Sequence, residues 1–214
     1  MKKALVILLM AIVAVSLFVG CKNEPKKNAD AGYKVGDKGP AGGIIVYVAD
    51  EEQTSTYTDA DGEKHELKWK YLEAAPEDAL NTVTSETGKY YWGPAKSTDY
   101  KTETAIGSGW SNTKKLEAAG INNFPAAKAC LDFSVTADDG KTYDDWFLPS
   151  KDELNEMYKS KSTIGNFREF VYWSSSEYTD KEYICEQTFH PEGNGIQSYM
   201  SRDSYAFVRP IRAF

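Results

Sequence analysis

The first twenty residues constrain this chain most, because their pattern is that of a segment removed before the protein folds. Two lysines precede an apolar run from Ala4 to Val19, broken only by Ser16, and the run ends at Gly20-Cys21. A charged region, an apolar region and a small residue occur in this order in secretory signal peptides. The run has 16 residues, whereas a helix that spans a bilayer needs about 20. The sequence therefore predicts a cleaved signal peptide over residues 1–20.

Cys21 is predicted to carry a lipid anchor. Leu17 to Cys21 (LFVGC) resembles a lipobox, in which a cysteine receives diacylglycerol and becomes the first residue after cleavage, although Phe18 replaces the usual leucine. Several acyl chains anchor a protein firmly, whereas one chain does not. Lys22 stands where an aspartate would retain a lipoprotein in the inner membrane. We therefore expect an extracytoplasmic lipoprotein, in the outer membrane or at the cell surface rather than in the inner membrane.

A tether and a single domain are expected after the leader. Residues 21–35 comprise the lipidated cysteine and a flexible tether, since Lys22 to Gly32 has no apolar side chain larger than alanine. Residues 36–214 are long enough to bury the core of one domain. Without Lys2 and Lys3, the chain has 23 basic and 32 acidic residues, a formal charge of −9. Phosphate backbones repel such a surface, so we expect no nucleic-acid partner.

The first half of the domain predicts a hairpin followed by loops and helices. Ile44–Ala49 is a β-branched and aromatic run that predicts a buried strand, Leu67–Ala75 is predicted to be a second strand, and the polar segment between them with its turn signature predicts a long hairpin. Asp59-Ala60-Asp61-Gly62 is a turn signature whose spacing does not fit a calcium loop. Helices are predicted over Asn112–Ala119 and from Pro125, which is a favoured first-turn residue.

The second half predicts one capped helix and several strands. Trp146–Leu148 is expected to be a strand, and the capping box of Ser150 and Glu153 predicts a helix over Lys151–Tyr158. Pro210 cannot donate to a β-ladder, so the last strand is expected to be an edge or to be interrupted. Four further strands, separated by turn residues, are predicted over 171–175, 183–189, 196–200 and 207–212.

A series of ordered motifs carries a resemblance to one protein family. The motifs are GGIIVY at 42–47, WG at 92–93, IG at 106–107, NT at 112–113, DDWFLPSKDEL at 144–154, YWSSSE at 172–177 and VRPIRAF at 208–214. Together they resemble the family typified by the C-terminal domain of the Legionella collagen-like adhesin, over Gly36 to Phe214. The resemblance implies an α+β, C-type-lectin-like fold: small twisted antiparallel sheets with paired terminal strands, two main flanking helices and long loops.

The superfamily implied by this resemblance suggests activities that can be compared with the residues present. Its calcium-dependent lectins use Glu-Pro-Asn or Gln-Pro-Asp with Trp-Asn-Asp, and none of these occurs in this chain. Its formylglycine-generating enzymes use a metal-binding cysteine pair, for which Cys130 and Cys185 are the only candidates here. The typifying adhesin is implicated in binding sulfated glycans, which require basic side chains, whereas this chain is acidic.

Aromatic side chains in Gly-rich loops are the main candidates for ligand contact. Flat rings bind the apolar faces of sugars and peptides, and functional residues concentrate on loops. The candidate ligand-binding residues are Tyr90, Tyr91, Trp92 and Trp110. Trp146 and Trp173 lie in the strand motifs, so we expect them to pack in the core.

The cysteines, serines and histidines do not form a recognisable catalytic set. Cys130 and Cys185 are left after lipidation, and the sequence leaves open whether they form a disulfide or two separate buried thiols. Ser174–Ser176 would need a base, but His65 and His190 lie in no catalytic motif. We therefore expect no catalytic residue, no metal site and no cofactor.

The charged residues of the motifs have structural interpretations. Asp144-Asp145 fits a turn, and Asp152-Glu153 fits a helix N-terminus, where negative charge is favoured. Arg209 and Arg212 fit structural ion pairs as well as ligand contacts.

The combined pattern predicts a lipid-anchored extracytoplasmic binding module, adhesin-like in character. Its ligand would be a glycan or a protein bound through the loops around residues 88–112. The alternatives are an enzyme related to formylglycine-generating enzymes and a structural envelope lipoprotein.

Cys21→Ser tests the lipid anchor. Cells grown with labelled palmitate should label the parent protein and leave the variant unlabelled, because the serine hydroxyl does not replace the thiol that receives diacylglycerol. Equal labelling of the two proteins would contradict the assignment of Cys21.

Overall fold

The computed structural model describes residues 32–80, 88–95 and 98–214. The predicted signal peptide, Cys21 and the tether up to residue 31 lie outside the described residues. Residues from Tyr33 to Phe214 form one compact unit. Tyr33 was expected in the tether, but its ring packs edge-on against Tyr71 and Phe214, with ring centroids 5.3 and 5.7 Å apart. The folded domain therefore begins before the predicted residue 36.

Short strands and helices alternate along the described chain, with one long hairpin at its start. The strands are β1 Ile44–Thr58, β2 Lys64–Ala74, β3 Tyr90–Tyr91, β4 Val135–Thr136, β5 Thr142–Tyr143, β6 Val171–Glu177, β7 Tyr183–Thr188, β8 Gln197–Ser201, β9 Tyr205–Ala206 and β10 Ile211–Ala213. The α-helices are α1 Gly109–Ala118, α2 Pro125–Leu131, α3 Lys151–Lys159 and α4 Lys161–Ile164, and 3-10 turns span Ile121–Asn123 and Pro191–Gly193. The predicted α+β class with small antiparallel sheets is confirmed, while the C-type-lectin-like relationship stays a prediction.

The first sheet has the strand order β1-β2-β10 and is built on the predicted hairpin. Both strands extend beyond the predicted strand segments towards the turn, and their outermost pair is Thr58 with Lys64. This extension is polar because a two-stranded ribbon that projects beyond the core can carry polar residues on both faces. The last strand pairs with β2, through Ile211 and Ala74. It therefore shares a sheet with β1 without pairing with it, unlike the terminal-strand pairing that the family resemblance implies.

The second three-stranded sheet has the order β6-β7-β8, and the pairs β3-β9 and β4-β5 complete the sheet structure of the described residues. The predicted interruption near Pro210 is confirmed, since β9 ends at Ala206 and β10 begins at Ile211. The predicted strand over Trp146–Leu148 is wrong: Phe147 makes one isolated bridge to Ile211, and its neighbours point their side chains into different core clusters.

The helices begin close to the predicted positions. The capping box at α3 is complete, since the Ser150 side chain accepts from the Glu153 amide and the Glu153 carboxylate accepts from the Ser150 amide. Pro125 is the first residue of α2, as predicted. Helix α1 begins at Gly109, three residues before the predicted start at Asn112. No helix in the described part of the chain is both long and apolar enough to cross a membrane.

Three arginines near the C-terminus form buried ion pairs with carboxylates far away in the sequence. Arg202 pairs with Glu177 at 2.5 Å, and Arg209 pairs with Asp78 at 2.6 Å. Arg212 pairs with Glu73 at 3.0 Å and also donates to both oxygens of Asp145. Arg209 and Arg212 therefore have the structural role, one of the two that the sequence left open.

Cys130 and Cys185, the two cysteines of the described residues, are free thiols, so the structure shows the second of the two alternatives, separate buried thiols. Cys130 packs in an apolar cluster, and the Cys185 thiol donates to the Glu177 carbonyl at 3.7 Å. Burial raises the pKa of Cys130 and raises that of Cys185 to about 11. Neither thiol is therefore prepared to act as a thiolate near neutral pH.

Glu186 makes the stability of the fold depend on pH. It is 5% exposed, its Oε2 atom has no hydrogen-bond partner among the described residues, and burial raises its pKa to about 7. The folded chain binds the Glu186 proton more tightly than the unfolded chain does, so protonation of Glu186 stabilises the fold. This stabilising contribution is fully present below the unfolded pKa of about 4.3 and is lost as the pH rises through about 7.

Glu186→Gln should therefore match the parent near pH 4 and be about 1 to 3 kcal/mol more stable at pH 8, the usual cost of a buried group left unpaired. Urea denaturation at the two pH values measures this difference. Glu182→Gln, at an exposed site, is the matched control. A Glu186→Gln variant less stable than the parent at pH 8 would contradict the effect.

Candidate functional site

A groove lies between the tip of the β1-β2 hairpin and helix α1. It has a volume of about 310 Å³, at the low end of the range of about 300 to 1,000 Å³ that is usual for small-molecule sites. Its walls are two aromatic rings with a polar rim: Tyr57, Asp59, His65, Trp110, Lys114, Glu117 and Ala118. We call it the Trp110 groove.

Trp110 is placed by a buried carboxylate at the start of its helix. The Glu153 Oε1 atom accepts from the amides of Gly107 at 2.8 Å and Gly109 at 3.3 Å, and Oε2 accepts from the amide of Ser150 at 2.7 Å. These bonds join the first residue of α1 to the start of α3. Burial raises the pKa of Glu153 to about 7, against the opposing effect of the amide donors. Trp110 follows Gly109 directly, half-buried, with one side of its ring against the core.

The two glycines beside Trp110 are required by close contacts. A Cβ atom at Gly109 would lie 2.1 Å from Glu153 Oε2, and one at Gly107 would lie 2.7 Å from the Trp69 ring. Gly107 also has a φ of +91°, which side chains rarely adopt. Its carbonyl accepts from Ser55 Oγ at 2.5 Å, and Ser55 Oγ in turn accepts from Trp69 Nε1 at 2.9 Å. The loop before α1 is thus bonded to both the hairpin and α3.

The opposite wall of the groove is held by the turn of the hairpin. Asp59 Oδ1 accepts from the amides of Asp61 at 3.0 Å and Glu63 at 2.9 Å, and Oδ2 lies 2.9 Å from His65 Nε2. The His65 ring stacks on Tyr57, with centroids 5.9 Å apart and an interplanar angle of 23°. The turn therefore orients both rings that face α1.

The groove carries carboxylates at both ends of its aromatic surface. Asp59 stands on the hairpin, and Glu117 on α1 forms an ion pair with Lys114 at 2.7 Å. Burial, together with the charges of Asp59 and Glu117, raises the pKa of Tyr57. The Tyr57 hydroxyl consequently stays protonated and available as a hydrogen-bond donor at neutral pH.

A second depression adjoins the first. It has a volume of about 200 Å³, and Trp110 and Lys114 contribute to its lining as they do to that of the Trp110 groove. Its other walls come from β2, α2, the loop before α3 and β10, and they include Leu67, Leu131, Asp144 and Trp146. We call it the Asp144 depression.

The four predicted ligand residues do not form one surface. Trp92 is fully buried, and its Nε1 donates to the Ser174 carbonyl at 2.9 Å, so its assignment to a ligand surface is wrong. Tyr90 and Tyr91 are half-buried in β3 and pair with β9. Of the four, Trp110 alone lines the grooves described above. Trp146 and Trp173 are buried, as expected.

The sequence carried a signal for only one wall of the groove. Trp110, Lys114, Glu117 and Ala118 follow helical spacing, so extending the predicted helix to residue 109 would have placed them on one face. Tyr57, Asp59 and His65 come from the hairpin, more than forty residues earlier. Nothing in local spacing indicates that the hairpin tip meets this helix.

The serines and histidines show no catalytic arrangement in the described residues. Ser174–Ser176 are buried: the Ser174 and Ser176 hydroxyls donate to the Cys185 and Glu103 carbonyls, each at 2.6 Å, and Ser175 Oγ accepts from the Asn112 side-chain amide at 3.0 Å. His190 accepts from the Glu192 amide at a 3-10 turn. The turn of the hairpin brings ligating atoms of Asp59, Glu63 and His65 within 4.8 Å of one another. Asp59 already uses both oxygens in hydrogen bonds, so the turn itself explains this cluster.

Comparison with known proteins leaves the family undefined. No family model and no curated protein matches this chain. The structure is similar to that of a fimbrial protein from Bacteroides ovatus, with 16% sequence identity and a TM-score of 0.39. The match covers 80% of this chain and 44% of the fimbrial protein, so the chain spans less than half of that protein's length.

Two tryptophan substitutions distinguish the groove from the core. Trp92→Ala should lower the free energy of unfolding by about 3 to 5 kcal/mol, because it leaves a cavity in a closed cluster. Trp110→Ala should cost less, about 1 kcal/mol, because Trp110 is only partly buried. Chemical denaturation followed by circular dichroism measures both. A larger loss for Trp110→Ala than for Trp92→Ala would contradict the assignment.

Proposed function

We propose that this protein is a lipid-anchored extracytoplasmic binding module that recognises a glycan through the Trp110 groove. The observation that carries the proposal is a pair of accessible aromatic rings, Trp110 and Tyr57, with carboxylate, hydroxyl, imidazole and ammonium groups around them. Sugars present apolar C–H faces and many hydroxyl groups, so a ring to stack on and a polar rim together are suited to them.

The shape and polarity of the groove favour a glycan over a protein ligand. A stable protein interface buries about 800 Å² on each partner and has an apolar centre. The exposed large apolar side chains of the described chain lie outside both the Trp110 groove and the Asp144 depression: Val35, Leu80, Phe170, Tyr178, Ile196, Tyr199 and Tyr205. A small concave site with a polar rim fits a few sugar units better than a protein surface.

The anchoring part of the proposal rests on the leader and the tether. The signal-peptide pattern ends at Cys21, and a polar segment separates this cysteine from the folded domain. Because the lipid anchor would hold the protein at the membrane, the acidic domain would not have to bind anionic lipid through electrostatic attraction. The groove would then be free to bind its ligand at a distance from the membrane.

The test is a glycan array probed with the folded domain, residues 33–214, as the parent and as Trp110→Ala. We expect the parent to bind a restricted set of glycans and the variant to lose at least tenfold in affinity, about 1.4 kcal/mol, because it lacks the stacking surface. Tyr205→Ala is the matched control, since it removes an exposed ring elsewhere on the domain.

Binding that is lost equally in Trp110→Ala and Tyr205→Ala would contradict the groove as the site. If the domain bound no glycan but captured a protein partner in a way that depends on Trp110, the ligand would be a protein instead of a glycan.

A further inference from the structure

The geometry points to an oligosaccharide without acidic groups as the ligand, bound with consecutive sugar units in the Trp110 groove and the Asp144 depression on the two sides of Trp110. This inference rests on the proposed glycan-binding function. It adds the charge and the length of the ligand, which the sequence left open.

The two sites share one wall, which suits a ligand of several sugar units. The Trp110 groove and the Asp144 depression, about 310 and 200 Å³ in volume, are both lined by Trp110 and Lys114. A single sugar can occupy one of them, whereas a chain that passes over Trp110 reaches both. Because the Trp110 ring is shared between the two subsites, each sugar unit can stack on it. Polar groups on either side of the ring can then bind the hydroxyl groups of the sugars.

Hydrogen bonds to other segments fix the backbone that carries Trp110, which forms the wall between the two subsites. Gly109 and Glu153 fix the start of α1, and Thr113 on the same helix donates to the Gly109 carbonyl at 2.9 Å and accepts from the Leu148 amide at 3.1 Å. The backbone beneath Trp110 is thus bonded to two other segments. A rigid wall of this kind lowers the entropy lost on binding.

The rims of both sites carry more acidic than basic side chains. Asp59 and Glu117 line the Trp110 groove, and Asp144 and Asp145 line the Asp144 depression, while Lys114 is the single lysine or arginine among the described residues that line either one. Glu117 is paired with Lys114, Asp145 with Arg212, and Asp59 with His65, while Asp144 is exposed at the rim of its depression.

Carboxylates accept hydrogen bonds and cannot donate them, so they suit a ligand rich in hydroxyl and amide N–H donors. Sulfate and carboxylate groups on a glycan would be repelled on both sides of Trp110. The ligand that we infer is therefore of a different class from the sulfated glycans that the family resemblance suggested.

The test uses two tetrasaccharides and one monosaccharide as probes, with binding measured by calorimetry on the domain 33–214. N-acetylglucosamine tetramer is uncharged and offers amide donors, its monomer has the same chemistry at one unit, and a heparin-derived tetrasaccharide is sulfated. We expect the uncharged tetramer to bind at least tenfold more tightly than its monomer and at least tenfold more tightly than the heparin fragment.

Variants on the second subsite sharpen the test. Leu131→Gln should weaken binding of the uncharged tetramer at least threefold and leave the affinity for the monomer unchanged. Asp144→Asn should have the same effects, and it tests them at an exposed position that does not support the core. Asp144→Lys should strengthen binding of the heparin fragment at least threefold, whereas Glu169→Lys, the same charge change on an exposed loop, should not.

Equal affinities of tetramer and monomer would overturn the two-subsite inference, and tighter binding of the heparin fragment by the parent would overturn the charge inference. Both outcomes leave the proposed glycan-binding function in place if the binding depends on Trp110. Binding of no glycan on the array would instead remove the proposed function and this inference together.

Discussion

The buried carboxylate of Glu153 is the interaction on which the arrangement of the site depends. A carboxylate out of contact with water is costly unless its oxygens are bonded, and here three backbone amides from two separate segments provide those bonds. The same side chain completes the capping box of α3, so one group sets the starts of two helices. Since Trp110 is the second residue of α1, its place at the surface follows from a bond made in the core.

The C-terminal segment closes the domain by an equivalent principle. Arg202, Arg209 and Arg212 reach carboxylates from β6, the segment after β2, and β2 itself, so each ion pair joins parts of the chain distant in sequence. Removing one member of such a pair leaves an uncompensated charge and typically costs about 3 to 5 kcal/mol. The Arg212–Glu73 pair lies within the first sheet, whereas Asp78, the partner of Arg209, also accepts from the Tyr172 hydroxyl of β6 at 2.9 Å and so connects the segment after β2 to the second sheet.

The sequence predicted the parts of this fold that depend on local chemistry. The Ser150 capping box, Pro125 at the start of α2, the hairpin and the break at Pro210 are all set by neighbouring residues, and all are confirmed. The errors share a different cause. Trp92 has the local features of an exposed loop residue, but distant segments close over it, and Tyr57 and His65 reach the site only because the hairpin tip meets α1. Burial and juxtaposition of this kind are set by long-range packing, which spacing along the chain does not encode.

Anchor, tether and groove make one consistent proposal: the lipid retains the protein, the tether gives reach, and the partly buried Trp110 contacts the sugar. Titration of the ¹⁵N-labelled domain with N-acetylglucosamine tetramer reports on Trp110 itself, because the five tryptophan indole N–H groups give separate NMR signals. If Trp110 contacts the sugar, its indole signal will shift during the titration, while the signals of the buried Trp92 and Trp173 will stay in place. An unmoved Trp110 signal, or shifts confined to residues around Tyr199 and Tyr205, would contradict it.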